Sequence, residues 1–218
     1  ISPKEAWEMF PIMSLDGVLG AAYTPTDGVI DPTGLTNALA AGAKSRGAKF
    51  FLDTNVEAIT LKDGRVSAVV TDRGTIQTEH VVNAAGQWGG EVGKMVGLSL
   101  PVVPMAHLYI ITKPIEGVKH EFPTLRDPDL LVYWREEVGG LVTGGYERQP
   151  ATYGMNGIPR DFKYTLLAPD WERFTPLMEN SIRRVPAVES AEVVKLLNGP
   201  EGFTPDGEFP GYPVHVIW

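Results

Sequence analysis

His107 and Tyr109 lie two residues apart in a segment rich in Val, Ile and Tyr, a composition typical of a β-strand. Because side chains alternate along a strand, the imidazole and the phenol are expected to project from the same face. Such a pair can orient a bound polar group by hydrogen bonding and assist proton transfer. The alternative is that both rings pack within the sheet with their polar atoms hydrogen-bonded.

Two neighbouring predicted strands carry groups of the same kind. Tyr133 and Arg135 belong to the first of them, and Tyr146 ends the second. The planar guanidinium of Arg135 can hold a carboxylate through two parallel hydrogen bonds. Arg135 can equally pair with Glu136 or Glu137 at the surface, so both interpretations stay open.

The segment Val81-Val82-Asn83-Ala84-Ala85-Gly86-Gln87-Trp88 is an apolar run that stops at small residues. A buried strand with this ending brings bare backbone close to whatever lies at its carboxyl end, where α/β proteins place their cofactors. The pattern therefore predicts dinucleotide binding. A strand that only packs tightly against a helix also favours Ala and Gly, which is the competing interpretation.

Capping residues mark the start of two helices that help to position these segments. Ser2-Pro3-Lys4-Glu5 has the pattern of a capping box and predicts a short helix to about Phe10. Asp31 followed by Pro32 predicts a second N-cap, and Gly47 stands where a left-handed residue would end that helix. Asp31 is accordingly assigned to capping rather than to chemistry.

Period-two patterns and turn residues predict two sheets. The first is an antiparallel meander with strands at 50–59, 66–71 and 75–82, followed by a helix at 88–96. The second has strands at 107–112, 130–135 and 140–146, with a last strand at 193–197. A helix after Pro169-Asp170 carries an apolar stripe interpreted as core packing, namely Trp171, Phe174, Met178, Ile182 and Val185.

The segment Gly17–Ala22 is a poor match to a dinucleotide fingerprint, because it lacks the third glycine and the acidic residue about 20 positions on. It is interpreted as a strand of small residues.

Composition narrows the classes of function. The 218 residues are 43% hydrophobic and carry a net charge of −8, which argues against nucleic acid or an anionic membrane surface as a partner. The chain has no cysteine, which excludes thiolate metal sites, and its four histidines show no close metal-ligand spacing. No apolar run is long enough to predict a membrane span.

Four motifs, taken in order, resemble the flavin-dependent amine oxidoreductases of the D-amino-acid oxidase superfamily, most closely the sarcosine and dimethylglycine dehydrogenase branch. The motifs are Asp27–Pro32, Gly34–Ala48, Val81–Trp88 and Asn198–Gly207. The resemblance implies a mixed α/β (α+β) fold, in which part of an FAD-binding domain with a β-meander is joined to a substrate domain on a mostly antiparallel sheet. The expected division is a lead-in at 1–30, FAD-binding parts at 31–100 and 187–218, and a substrate-binding domain at 101–186.

The resemblance also implies roles for individual residues. Tyr109 matches the tyrosine that reaches into the amine pocket, with His107 as a second catalytic candidate, and Tyr133, Arg135 and Tyr146 lie on the strand pair beside the flavin face. The backbone of Val56 is expected to meet the adenine. The remaining cofactor-binding candidates are Ala84, Ala85, Gly86, Trp88, Thr204, Pro205 and Asp206, and no residue is assigned to a metal.

The activity implied is oxidation of the C–N bond of an N-methylated glycine to an imine, with an electron-transfer flavoprotein or oxygen as electron acceptor. Relatives attach FAD covalently to a histidine outside this chain, and many carry a tetrahydrofolate-binding region. The glycine-rich unit that grips the pyrophosphate would precede residue 1, so we expect a fragment that binds FAD weakly by itself.

Two alternatives to this activity remain open. One is a non-catalytic paralogue similar to the regulatory subunit of pyruvate dehydrogenase phosphatase, and the other is a glycine or D-amino-acid oxidase. The expected location is the cytoplasm of a bacterium or the mitochondrial matrix of a eukaryote, and the chain does not distinguish them.

Overall fold

The computed structural model describes residues 1–205, and these divide into two compact units. The first unit comprises residues 1–29, 105–152 and 160–200. The second comprises residues 30–104, 153–159 and 201–205. Helices and antiparallel sheets occur together, which confirms the predicted mixed α/β fold class.

A five-stranded sheet is the centre of the first unit, and its spatial order is β5-β6-β7-β4-β8. Its strands are β4 (Val103–Thr112), β5 (Leu125–Asp127), β6 (Val132–Glu137), β7 (Gly140–Gly145) and β8 (Val193–Phe203). The pairs β5–β6, β6–β7 and β7–β4 are antiparallel. Every second residue of β4 is buried, as the alternation predicts for a sheet packed on one face. Four of these strands coincide with strands predicted from the sequence, and β5 was not predicted.

Helix α4 (Trp171–Arg184) covers one face of this sheet and begins at the predicted cap, where the Asp170 side chain accepts the Arg173 N–H. The core beneath it contains Phe174, Leu177 and Val185 from this region of the chain. The predicted stripe is wrong at Trp171, which is 51% exposed, because the buried face is shifted to Phe174, Leu177 and Ser181. The Ser181 hydroxyl makes a buried 2.7 Å hydrogen bond with that of Thr143 on β7.

Helix α1 (Pro3–Met9) begins with the predicted capping box, in which the Ser2 hydroxyl accepts the Glu5 N–H and the Glu5 carboxylate accepts the Ser2 N–H. The hydrogen bonds from Ser2 lower the pKa of the Glu5 carboxyl below its usual value. Phe10, directly after the helix, is buried in the core. The strand predicted over Gly17–Ala22 is wrong, since this segment has no ladder partner among residues 1–205 and Gly17 turns the backbone at φ +70°.

The second unit contains helix α2 (Pro32–Ser45) and a three-stranded meander of β1 (Val56–Lys62), β2 (Arg65–Thr71) and β3 (Gly74–Gln77). The predicted cap is confirmed, because the Asp31 carboxylate accepts the N–H groups of Thr33 and Gly34 at 3.0 and 2.9 Å. The predicted meander is also confirmed. Its first turn places Asp63 and Gly64 at φ +53° and +75°, the conformation that an Asp-Gly hairpin requires.

Two predicted strands of the second unit are longer than the strands observed. The first begins at Val56 rather than at residue 50, because Asp53 at φ +49° interrupts the extended backbone. The third ends at Gln77, so the buried strand predicted at Val81 and Val82 is wrong. Val82 is 89% exposed, and no segment within residues 1–205 pairs with it, so the backbone has no ladder to join.

A short 3₁₀ helix (Gly86–Trp88) and helix α3 (Gly89–Lys94) follow, close to the predicted helix. No helix within residues 1–205 has the length and apolar character needed to cross a bilayer.

Candidate functional site

The face of the first unit's sheet opposite α4 brings together side chains that the sequence analysis selected. Alternation along β4 places His107 and Tyr109 on that face, because Leu108 between them and Ile110 after them are fully buried in the core. On β6, Tyr133 and Arg135 alternate in the same way with the buried Val132 and Trp134.

His107, Tyr133 and Tyr146 form what we call the aromatic cluster. The His107 Nε2 atom lies 3.1 Å from the Tyr133 hydroxyl, within hydrogen-bonding distance. The rings of His107 and Tyr133 are nearly parallel. The ring centroids of His107 and Tyr146 are 4.6 Å apart. The cluster thus joins β4, β6 and the residue that follows β7, so three strands must be in register before it exists.

Gly144 makes room for this arrangement. It pairs with Tyr109 on β4 and with Tyr133 on β6, so it lies between the two tyrosines. A Cβ atom at this position would lie 2.6 Å from both the Tyr109 Cβ and the Tyr133 hydroxyl oxygen. The glycine therefore lets the Tyr133 hydroxyl extend over β7 toward His107.

Tyr109 itself is half-buried, beside the cluster. Its hydroxyl makes no hydrogen bond to any of residues 1–205. Unlike the hydroxyl of Tyr133, it is therefore available to a ligand.

Arg126 was missed by the sequence analysis, although it joins the same face. It lies on β5 and pairs with Tyr133, and its guanidinium carbon is 5.7 Å from the ring centroid of Tyr146. A three-residue strand gives no readable alternation, so no sequence signal separates Arg126 from an ordinary surface arginine.

Arg135 adopts the arrangement that the sequence analysis gave as the alternative, a 2.8 Å ion pair with the Glu137 carboxylate. The neighbouring Glu136 accepts the Gly139 N–H at 2.7 Å and lies 2.9 Å from the His120 ring. The hydrogen bond from Gly139, followed by that from His120, lowers the pKa of the Glu136 carboxyl. These acidic residues belong to the β6–β7 hairpin, and the role of Arg135 in ligand binding stays a prediction.

In the second unit, the turn from Ala84 to Trp88 begins with small residues, and its role in cofactor binding stays a prediction. The Asn83 side chain shapes the turn by accepting the Ala85 N–H and donating to the Gly89 carbonyl oxygen. Gly86 has φ +54°, and a Cβ atom built there would have no neighbour within 4 Å. Ala84 and Gly86 are exposed, and the N–H groups that start the 3₁₀ helix have no side-chain cap.

The end of β8 lies beside this turn. A Cβ atom on Gly202 would be 3.4 Å from the Cα of Gln87, so Thr204 and Pro205 follow a strand end that packs next to the 3₁₀ helix. Two segments with cofactor-binding candidates, the Ala84–Trp88 turn and the end of β8, are thus neighbours although they are more than 100 residues apart in sequence. Asp206, the next cofactor-binding candidate in sequence, lies outside the described residues.

Val56, the adenine-contact candidate, is the first residue of β1 and pairs with Thr71. The ladder is irregular between Val56 and Ala58.

Two cavities of about 340 and 150 Å³ lie in the second unit, and none of their lining residues belongs to the aromatic cluster. Residues 1–205 contain no group of His, Asp and Glu side chains that could hold a metal ion.

Comparison with curated proteins finds amine dehydrogenases and a phosphatase regulatory subunit among the relatives. Mitochondrial sarcosine dehydrogenase of Homo sapiens is 39% identical over 211 residues, and mitochondrial dimethylglycine dehydrogenase of Rattus norvegicus is 36% identical over 214 residues. The mitochondrial pyruvate dehydrogenase phosphatase regulatory subunit of Mus musculus is 36% identical over 209 residues. Each match covers 94% of this chain but only 23–25% of the relative, so the chain spans about a quarter of these proteins.

A solved structure with the same fold is that of L-proline dehydrogenase from P. horikoshii, with a TM-score of 0.79 and 27% sequence identity. The match covers 94% of this chain and 53% of that protein. The family model described as FAD dependent oxidoreductase matches residues 1–216. With nearly its whole length matched by this model, the chain belongs to the FAD-dependent oxidoreductase family of D-amino-acid oxidase type.

Proposed function

We propose that the protein containing this chain oxidises the C–N bond of an N-methylated glycine, of the sarcosine or dimethylglycine type, to an imine. The observation that carries the proposal is the aromatic cluster with the adjacent free hydroxyl of Tyr109, set on one face of the sheet. Aromatic faces favour a small cationic or methylated amine, and the phenol supplies a hydrogen bond. The names of the relatives point to the same substrate class.

The residues of the second unit fit an FAD nucleotide. Ala84, Ala85 and Gly86 are small residues, and Ala84 and Gly86 are exposed, so a ligand can approach the backbone there. The end of β8 at Thr204 and Pro205 borders the same turn. We propose that these residues and Trp88 hold the flavin part of the nucleotide, and that the Val56 backbone meets the adenine. When bound, FAD supplies the acceptor for the hydride equivalent that leaves the substrate.

The first unit provides the groups that would handle the amine. The C–H bond next to nitrogen breaks with loss of a hydride equivalent while the nitrogen lone pair forms the C=N bond, so the amine must first be unprotonated. An imidazole ring nitrogen can accept a proton, and His107 is proposed to receive the ammonium proton. The Tyr133 hydroxyl holds the His107 ring in place, and Tyr109 would orient the amine or polarise the substrate carboxylate.

Several accompanying features are proposed on the same basis. The reduced cofactor would pass its electrons to an electron-transfer flavoprotein or to oxygen. Covalent attachment of FAD and use of tetrahydrofolate would involve residues outside this chain. If the source is eukaryotic, the mitochondrial matrix is the expected location, in keeping with the names of the mitochondrial relatives.

A regulatory role is the second candidate, because the phosphatase regulatory subunit matches the chain at nearly the same identity and coverage as the dehydrogenases. An oxidase acting on glycine or a D-amino acid is a third candidate, and a solved glycine oxidase with a TM-score of 0.72 favours it.

Anaerobic mixing of the flavin-loaded full-length protein with single amines separates these candidates. Loss of the oxidised flavin absorption band is expected with sarcosine or dimethylglycine, at a rate that saturates with amine concentration. Reduction by glycine or a D-amino acid in preference would support the oxidase alternative. A flavin that no amine reduces would contradict the proposed function and favour the regulatory role.

A further inference from the structure

Within residues 1–205, Arg126 has no acidic partner, unlike the other arginine of the sheet and the buried arginine of the covering helix. Arg135 pairs with Glu137, and Arg184 pairs with Asp127. Within residues 1–205, no carboxylate forms an ion pair with Arg126, and its contact is with the ring of Tyr146. A guanidinium that lies over an aromatic ring keeps its hydrogen-bond donors available for a planar anion.

The backbone of β5 is held from the opposite face of the sheet. Asp127, the next residue, accepts a 2.8 Å hydrogen bond from the Arg184 Nε–H and a 3.0 Å bond from the Leu130 N–H. The side chains of Arg184 and Asp127 are only 10% and 12% exposed. Because alternate residues of a strand point to opposite faces, fixing Asp127 toward α4 directs Arg126 to the side of the aromatic cluster.

We infer that Arg126 is the anchor for the anionic end of the substrate. The assignment rests on the proposed function. It identifies the residue that would bind the carboxylate, which is the group that distinguishes an amino acid from a simple amine. A carboxylate at the guanidinium would place the rest of a small substrate next to Tyr146, whose ring also contacts those of His107 and Tyr133. Arg135 is less suited to this task, because a carboxylate would have to displace Glu137.

Binding of an unreactive anion tests this inference without requiring turnover. Methoxyacetate has the shape and the carboxylate of sarcosine, with an ether oxygen in place of the amine, and methoxyacetamide is its neutral counterpart. Calorimetric titration of the flavin-loaded full-length protein should show methoxyacetate binding, with an affinity that falls about 10- to 100-fold in Arg126→Gln. Arg183→Gln is the matched control, since it removes the same charge from an exposed position of α4 and should leave the affinity unchanged.

The neutral amide separates an anchor from a structural role. Its affinity should be the same in the wild-type protein and in Arg126→Gln. Failure of the wild-type protein to bind methoxyacetate, unchanged anion affinity in Arg126→Gln, or an equal loss for the anion and the amide would each overturn the inference. The proposed function fails on a different result, the absence of flavin reduction by any amine.

Discussion

Tyr109→Phe in the flavin-loaded full-length protein should lower the rate of flavin reduction by the amine substrate by about 10- to 1000-fold. The substitution removes one hydroxyl and leaves the ring that packs beside Gly144, so the fold and the bound flavin should survive. The loss arises because the hydroxyl, unbonded within residues 1–205, is proposed to hydrogen-bond the substrate as the C–N bond is oxidised. Single-turnover absorbance measurements under anaerobic conditions give the rate directly.

Tyr164→Phe is the control for this experiment, since it removes the same group from a side chain that is fully exposed. It should leave the reduction rate unchanged. If Tyr109→Phe also left both the reduction rate and the amine affinity unchanged, Tyr109 would be an ordinary packing residue of the sheet.

Asp127→Ala should lower the free energy of unfolding by about 3–5 kcal/mol, which is the largest effect on stability that we expect from a single substitution. Removal of this carboxylate leaves the Arg184 guanidinium nearly buried, with the carbonyl oxygens of Ser14 and Asp16 as neutral partners. The Leu130 N–H also loses its acceptor. Urea denaturation followed by tryptophan fluorescence measures the difference.

Glu137→Ala is the comparison for Asp127→Ala, because it breaks an ion pair whose side chains are 37% and 36% exposed. Exposed pairs contribute only about 0–1 kcal/mol, so this variant should unfold close to the wild type. Equal losses in the two variants would show that the Asp127–Arg184 pair is not the buried contact described here.

The elements that the sequence predicted well are those whose pattern is local. The Ser2 and Asp31 caps each depend on residues within three positions of one another, and the alternation of β4 repeats over ten residues. The Asp63-Gly64 turn likewise carries its own conformational preference. Such local patterns can be recognised in the sequence without knowledge of the rest of the fold.

The predictions that were wrong depend on partners distant in sequence. Val81 and Val82 have the composition of a buried strand, but a strand also needs a hydrogen-bonded neighbour, and residues 1–205 provide none. The contact between Asp127 and Arg184 joins residues 57 positions apart. No local sequence pattern predicts this contact. Strand β5 and Arg126 were not predicted either, because they too depend on partners distant in sequence.

Predictions for the site also divide into those that depend on local patterns and those that depend on residues distant in sequence. His107 and Tyr109 could be paired from strand alternation, whereas the approach of Tyr146 to His107 depends on the register of β4 with β7. Gly144 in that register explains why the Tyr133 hydroxyl can reach His107, but in sequence it is one of 24 glycines.

A crystal structure of the flavin-loaded full-length protein with bound methoxyacetate would show where the substrate binds. The ligand should lie on the face of the sheet opposite α4, with its carboxylate at the Arg126 guanidinium and its ether end beside Tyr109 and the aromatic cluster. A ligand bound elsewhere, with His107, Tyr109 and Arg126 all beyond contact distance, would contradict this placement of the substrate.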